Sequence, residues 1–211
     1  MIARIYSLYW DNIDPSIVAA QQSVCSHLGL KAEQHRIHGL DHGEWIDWVM
    51  SRNDNVDVFL FLDADCIPLT SERLIHGFNQ AASGTLYGAE GAANHIDPAR
   101  SYAGAWYVFV NRVMWNLLGR PSAKASPHND ICQLWTDAWT ARSQNVELIG
   151  PTACVEPRWD LPGRPKAYGT ATTYGDDCFH LFESRHSGKQ RYFLDRCQAV
   201  CMKDERQPLT A

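Results

Sequence analysis

No run of apolar residues in this chain approaches the ~20 needed to cross a bilayer. The longest candidate, Tyr102–Val110, stops at nine residues even with Gly104 counted as apolar. The opening Met1-Ile2-Ala3-Arg4 reaches the polar pair Asp11-Asn12 without the long apolar core of a secretory leader, so a cytoplasmic location is expected. An excess of basic residues is missing too. Nineteen Lys and Arg stand against 24 Asp and Glu, a net charge of −5. That excludes a general binder of nucleic-acid backbones, which would carry a positive patch, but leaves room for a small local basic site. With 14 Gly, 10 Pro and 20% charged residues there is no collagen-like repeat, coiled coil or disordered composition. Zinc-ligand spacing is absent as well. The seven cysteines are an odd number scattered from Cys25 to Cys201, and the pair Cys197 and Cys201 has no second pair to join it. They read as reduced thiols.

The 211 residues, 45% apolar, suffice for one domain with a sizeable core. The first third alternates strand and helix signals. Ile2–Tyr9 is β-branched and aromatic, Asp14-Pro15 reads as an N-cap with proline at the first helical position, and Lys31–Ile37 is a weaker strand. Gly43–Met50 sets Trp45, Ile46, Val49 and Met50 on one helical face. Val56–Leu62 is continuously apolar, which means burial on both faces, as at the centre of a parallel sheet covered by helices. This β-α-β-α-β order predicts an α/β sandwich with its site at the carboxyl ends of the strands. Further on, Thr70–Ala82 and Asn111–Leu118 read as helices, and Thr85–Gly88, Ala105–Val110 and Val146–Ile149 as strands. Asn129–Ser143 also has helical spacing. Pro151–Gly175, punctuated by prolines and glycines, reads as an ordered but irregular crossing, and 201–211 as a frayed tail.

The sharpest chemical feature is Asp63-Ala64-Asp65, placed directly after the buried strand. Two carboxylates spaced by two residues where the chain leaves the sheet can reach one site, and ionised together in a low dielectric they repel. A divalent cation relieves that repulsion. Mg²⁺ or Mn²⁺ takes oxygen ligands and keeps positions for phosphate oxygens. The blander reading is that Asp63 caps the turn and Asp65 is solvated.

Taken in order, these pieces resemble the GT-A fold of glycosyltransferases. They are the N-terminal βαβ half, the Phe59–Leu62 strand delivering Asp63-Ala64-Asp65, and the stretch Ala103–Arg112. His128-Asn129-Asp130 and Thr172–His180 follow, so the order spans roughly residues 2–186. The resemblance implies a GT-A-like three-layer α/β/α sandwich forming a single domain with a Rossmann-like half. That nucleotide-sugar-binding half would cover about 1–100 and an acceptor-side half about 101–190. It implies a hexosyl or pentosyl transferase using a nucleotide diphosphate sugar, expected to be UDP-linked. Asp63, Asp65 and His180 would hold Mn²⁺ or Mg²⁺, with Asp63 also near the ribose or sugar. Tyr6, Ser7, Tyr9, Trp10 and Asp11, at the end of the first strand, would meet the nucleotide. Arg185 or His186 would meet the diphosphate. An inverting enzyme also needs a general base, for which Asp130, at a helix start, is the candidate and Asp137 its competitor. Acidic residues also gather at helix starts simply to cap them. Trp106 is the tryptophan placed to stack on a sugar, although any single aromatic here also suits the core. The acceptor is open among saccharide, lipid, protein and modified nucleic-acid base.

Two departures from the family pattern stand out. The chain is short for a full GT-A domain, and Asn129 replaces an acid before the base candidate. Two other readings compete. A haloacid-dehalogenase-type phosphatase also begins with a strand and Asp-x-Asp, and Gly175-Asp176-Asp177 imitates its later motif, although Thr170–Tyr174 is not an apolar strand. The other is a catalytically silent nucleotide- or carbohydrate-binding domain on the same scaffold.

Overall fold

A computed structural model describes residues 1–185 and 188–204. In chain order the elements begin β1 (Ala3–Tyr9), α1 (Pro15–His27), β2 (Ala32–Arg36), α2 (His42–Arg52), β3 (Val58–Asp63), β4 (Cys66–Pro68), α3 (Ser71–Ala82) and β5 (Leu86–Ala92). They continue with β6 (Ser101–Asn111), α4 (Arg112–Leu117), α5 (Gln133–Ala141), β7 (Val146–Ile149), β8 (Ala153–Leu161), β9 (Arg164–Tyr174), β10 (Cys178–His180) and α6 (Gln190–Asp204).

Local chemistry explains the helix starts. Asp14 caps α1 by accepting from Ser16 N, with Pro15 behind it. Asp41 and Glu44 form a reciprocal capping box on α2, and Thr70 caps α3. Six strands make the main sheet in the order β2-β1-β3-β6-β5-β7, and four make a second, antiparallel sheet in the order β4-β10-β9-β8. The expected three-layer α/β/α sandwich is therefore present. Alternation along β3 divides its two faces. Leu60 and Leu62 join α1, α3 and α6 in one apolar cluster, while Phe59 and Phe61 join Trp45 of α2 and Trp135 and Trp139 of α5 in the other. Each such fully buried side chain contributes about 1.5–3 kcal/mol.

Three expectations need correcting. The sheet is mixed, because β6 runs antiparallel to both β3 and β5. Residues 153–174 form a long hairpin, β8 and β9, instead of an irregular crossing. Its prolines are tolerated because β8 is an edge strand with a register shift beside Pro157, and the turn bends at Gly163, at φ +69°. Helix α5 begins at Gln133, so Asp130 lies in the preceding turn, and the helix N-cap is a left-handed Cys132 at φ +63°. Sequence pattern also missed α6, which reaches Asp204 and takes up the start of the expected tail. Residues 205–211 and His186 lie outside the described residues. Among the described residues no helix is long and apolar enough to cross a membrane.

The thiols report on this packing. Cys25, Cys66, Cys132, Cys178 and Cys197 are buried, and burial pushes their thiols up, Cys25 to about 12. Iodoacetamide applied to the native protein at pH 8 is expected to label the half-buried Cys154 and Cys201 first, read by mass spectrometry. The other five should react only with denaturant; early labelling of Cys66 or Cys178 would contradict this packing.

Candidate metal centre and adjoining cavities

Asp63 ends β3 and Asp65 sits in the tight connection to β4. That connection is held from below by Gln21 of α1. The buried Gln21 amide donates to Asp63 O at 2.7 Å and Cys66 O at 2.8 Å, and its oxygen accepts from Gln34 at 3.0 Å. From the side comes β10, whose register sets His180 opposite Cys66. The His180 Nε2 atom lies 3.1 Å from Asp65 Oδ1 and 3.6 Å from Asp63 Oδ2. Ser184 N closes the set on Asp65 Oδ2 at 3.4 Å.

Environment separates the two carboxyls. Burial pushes Asp63 up, against the opposing pull of His42, His180 and Arg185. Burial acts the same way on Asp65, but His180 and the hydrogen bond from Ser184 N outweigh it and bring its carboxyl down to about 2. Asp63 keeps an exposed edge, 27% of its side chain, while Oδ1 is buried.

One ligand atom from each of Asp63, Asp65 and His180 falls within 4.8 Å of the others. Two carboxylate oxygens and one imidazole nitrogen suit a hard divalent cation such as Mn²⁺ or Mg²⁺. Buried polar atoms without a hydrogen-bond partner among the described residues gather here as well: Asp63 Oδ1, His42 Nε2, His180 Nδ1, Ser184 Oγ and Trp106 Nε1. Such atoms are uncommon in folded proteins and mark a surface shaped for a ligand. The residues therefore fit the cation.

Two cavities open from this centre. The first, about 250 Å³, is lined by Asp63, Asp65, His180, Ser184, Arg185 and Trp10. The second, about 170 Å³, runs from His42 and Asp63 past Trp106 and Tyr102 to Asp130. Asp130 is oriented on both oxygens. Oδ2 accepts from Tyr102 OH at 2.8 Å and Oδ1 from Ile131 N at 2.8 Å. The turn that carries it is pinned by the buried Asn129, whose amide donates to Lys124 O at 2.8 Å. A further pin is Asp47 of α2, which accepts from Ala123 N and Ser122 Oγ. The asparagine that stands where the family has an acid is thus a structural fastening.

The other predicted site residues separate. Trp10 lines the cation cavity and also a larger one, about 590 Å³, which it shares with Tyr9, Asp11 and Arg36. Asp11 pairs with Arg36 at 2.6 Å. Tyr6 is 1% exposed and packed against Phe59 and Phe61, which leaves no ring face for a nucleotide base. Ser7 is fully buried. Asp137 faces away to an ion pair with Arg100. Trp106 borders the site, but at 8% exposure it is a wall instead of an open platform, stacked on His180 at 5.6 Å between ring centroids. Asp177, part of the phosphatase-like motif, is buried in a different network with Arg73 at 2.9 Å and Tyr87 OH. Sequence reading missed Gln21 and His42. His42 lies 3.3 Å from Asp63 Oδ1 without hydrogen-bond geometry. A helix-interior Gln and a histidine after an N-cap carry no signal until the fold brings them to Asp63.

No protein-family model and no curated protein matches the chain. Solved structures do. The catalytic domain of Drosophila β1,4-galactosyltransferase 7 in complex with xylobiose aligns with a TM-score of 0.52 at 12% identity, covering 92% of this chain and 79% of that one. A mutant of the same enzyme in complex with manganese, UDP-Gal and xylobiose aligns with a TM-score of 0.52 at 11% identity, covering 91% and 79%. The protein has the GT-A fold. In this GT-A scaffold the carboxyl end of β3, its connection to β4 and the return of β10 bring Asp63, Asp65 and His180 together.

Asp65→Ala is expected to abolish Mn²⁺ binding in the presence of UDP, measured by isothermal titration calorimetry, with the circular-dichroism spectrum unchanged. Gln21→Leu, which leaves two carbonyls without their donor, is expected to weaken Mn²⁺ about tenfold by loosening the turn. Wild-type affinity in Asp65→Ala would remove that residue from the centre.

Proposed function

We propose that this protein is a cation-dependent glycosyltransferase that moves a sugar from a nucleotide diphosphate sugar, UDP-linked, to an acceptor hydroxyl. The observation that carries the reading is the Asp63, Asp65 and His180 constellation at the carboxyl end of β3, in one continuous site with Asp130. Arg185 and the unpartnered Ser184 hydroxyl border the cation cavity and suit a diphosphate. Tyr9 and Trp10 offer aromatic surface at the neighbouring cavity for the nucleotide.

The chemistry follows from which residues face which cavity. Asp130 takes the proton of the acceptor hydroxyl, and the acceptor oxygen forms its bond to the anomeric carbon. The bond from that carbon to the diphosphate oxygen breaks, with its electron pair leaving on the diphosphate. Direct displacement of this kind inverts the anomeric centre. The cation, when bound, neutralises the charge that develops on the leaving group. Tyr102 OH and Ile131 N fix the Asp130 carboxylate, leaving its remaining lone pairs for the acceptor. His42 stands beside Asp63 in the same small cavity, where its unpartnered Nε2 suits a hydroxyl of the transferred sugar.

The test incubates the protein with Mn²⁺ and a panel of nucleotide sugars and measures release of nucleoside diphosphate. Wild type is expected to release it. Asp130→Asn should keep donor affinity and lose transfer by roughly 10²–10⁴-fold. Phosphate released from phosphomonoesters would favour a phosphatase, and donor binding without turnover a silent domain.

A further inference from the structure

A further cavity, about 310 Å³, borders Trp106 and Phe182 and is walled by the rings of Tyr102, Trp106, Trp159, Tyr168 and Phe182, with Asp130, Asn94, His95 and Ala92 completing the lining. Nothing in the cation chemistry requires it. Five of the nine lining residues are Trp, Tyr or Phe, and one is the Asp130 carboxylate. We propose that this cavity binds the acceptor and that the acceptor is an uncharged sugar ring, a neutral pyranoside. The proposal rests on the transferase reading for its role, and on the cavity's own walls for its chemistry.

The walls form a fixed shape. Trp159 and Tyr168 come from the two strands of the β8–β9 hairpin, and Phe182 from the segment after β10. Their rings contact one another at centroid distances of 5.2–5.7 Å. Tyr168 OH donates to Ala92 O at 2.8 Å and accepts from Ala92 N at 3.1 Å. Asn94 and Asp160 exchange two more bonds, at 2.8 and 2.7 Å, so the hairpin is fastened to the end of β5. Phe182 and Glu183 both take positive φ, at +23° and +59°, a strained conformation of the kind concentrated at ligand sites.

Ring orientation selects among ligands. The three rings are inclined to one another by 42°, 61° and 53°, and the nearly parallel pair Trp106 and Tyr168, at 23°, stands only 6.4 Å apart between centroids, too close to admit a planar base between them. Inclined aromatic faces suit the C–H surface of a puckered ring. A purely apolar occupant is disfavoured by the polar groups in the same wall, Asn94 and His95 among them, and two of these bear most directly on the ligand. One is the Asp130 carboxylate. The other is Trp106 Nε1, an N–H on a residue 8% exposed that has no hydrogen-bond partner. Both match hydroxyls.

Charge selects further. The nearby cations are engaged elsewhere: Arg158 with Glu183 and Glu156, Arg164 with Glu90, and Lys189 with Glu156. Lys166 Nζ donates to Arg158 O. Among the described residues the cavity wall holds no Lys or Arg, and His95 is its one imidazole, so at pH 8, where imidazoles are ordinarily neutral, a uronate or phosphorylated sugar entering the cavity would meet the Asp130 carboxylate without a matching cation.

The test compares methyl β-D-glucopyranoside with methyl β-D-glucopyranosiduronic acid, which differ chiefly in one carboxylate. Dissociation constants are taken from NMR titrations of the full chain, with and without Mn²⁺ and UDP. The neutral glycoside is expected to bind at least about tenfold more tightly than the uronide. Trp159→Ala should weaken it about tenfold, and Trp159→Phe should recover most of that loss. Asp130→Asn should bring the two glycosides within about threefold. Equal or tighter uronide binding, no effect of Trp159→Ala, or equally Trp159-dependent binding of adenosine would overturn the proposal. Failure of both glycosides while Mn²⁺ and UDP bind at Asp65 would defeat this inference and leave the transferase reading standing. Glycoside binding without Mn²⁺ or UDP binding would do the reverse.

Discussion

Two carboxyl groups brought together in a largely buried turn are the constraint around which this molecule is arranged. With ligand atoms within 4.8 Å, ionised Asp63 and Asp65 would repel by about 3–4 kcal/mol at an effective dielectric of about 20. The fold does not neutralise them with a buried Arg or Lys. It surrounds them with histidine, a hydroxyl and backbone N–H, and lets burial raise one carboxyl while hydrogen bonding lowers the other. A protein built only for stability would replace such a pair with apolar side chains at little loss. Retaining it, with Gln21 bonded to both ends of the turn, makes sense where an external cation completes the set.

The mixed sheet explains how that centre meets the rest of the site. Strand β6 pairs antiparallel with β3 as far as Tyr107 opposite Leu62, and residues 101–106 run on beyond the end of β3. There they pair with the end of β5 across an irregularity between Gly88 and Glu90. The overhang carries Tyr102 to Asp130 and Trp106 to His180. Trp106 can lie flat on the strands because Gly91 and Gly104 are beneath it, and a Cβ at either would collide with its ring. One indole therefore separates the cation centre from the aromatic cavity while bordering the passage between Asp63 and Asp130.

What could be read from the sequence divides along the same line. The βαβ start, the buried strand and the Asp-x-Asp were legible because each is local: periodicity, capping and a motif within a few residues. His180 was legible through its order in the chain. The hairpin was not, because its prolines read as breakers until β8 is seen to be an edge strand. Asp130 was singled out as a helix-opening acid, whereas it precedes α5 in a turn, and it shares a cavity with Asp63. Tyr6 shows the opposite failure. A strand end alternates between faces, and the sequence does not say which face the ligand will share. Gln21 and His42 were invisible, because their role exists only across more than 20 residues of separation.

These facts bear on how the two halves of the site divide the work. The Asp63–Asp65 side is assembled from β3, whose faces reach both apolar clusters, from α1, and from β10, the neighbour of β9 in the second sheet. The aromatic side is drawn from a hairpin on the second sheet, fastened by side-chain bonds at Tyr168 and Asn94. Asp130 belongs to neither. Its turn is anchored to α2 through Asp47 and to β6 through Tyr102, so its carboxylate stays in place whichever rings the hairpin presents. Under the proposed reading, an acceptor wall could then change by substitution at Trp159, which leaves the Tyr168 and Asn94 fastenings and the carboxylates in place. On the same reading the hairpin would be the seat of acceptor choice, and the Asp63–Asp65 turn, bonded at both ends by Gln21, the part least tolerant of change.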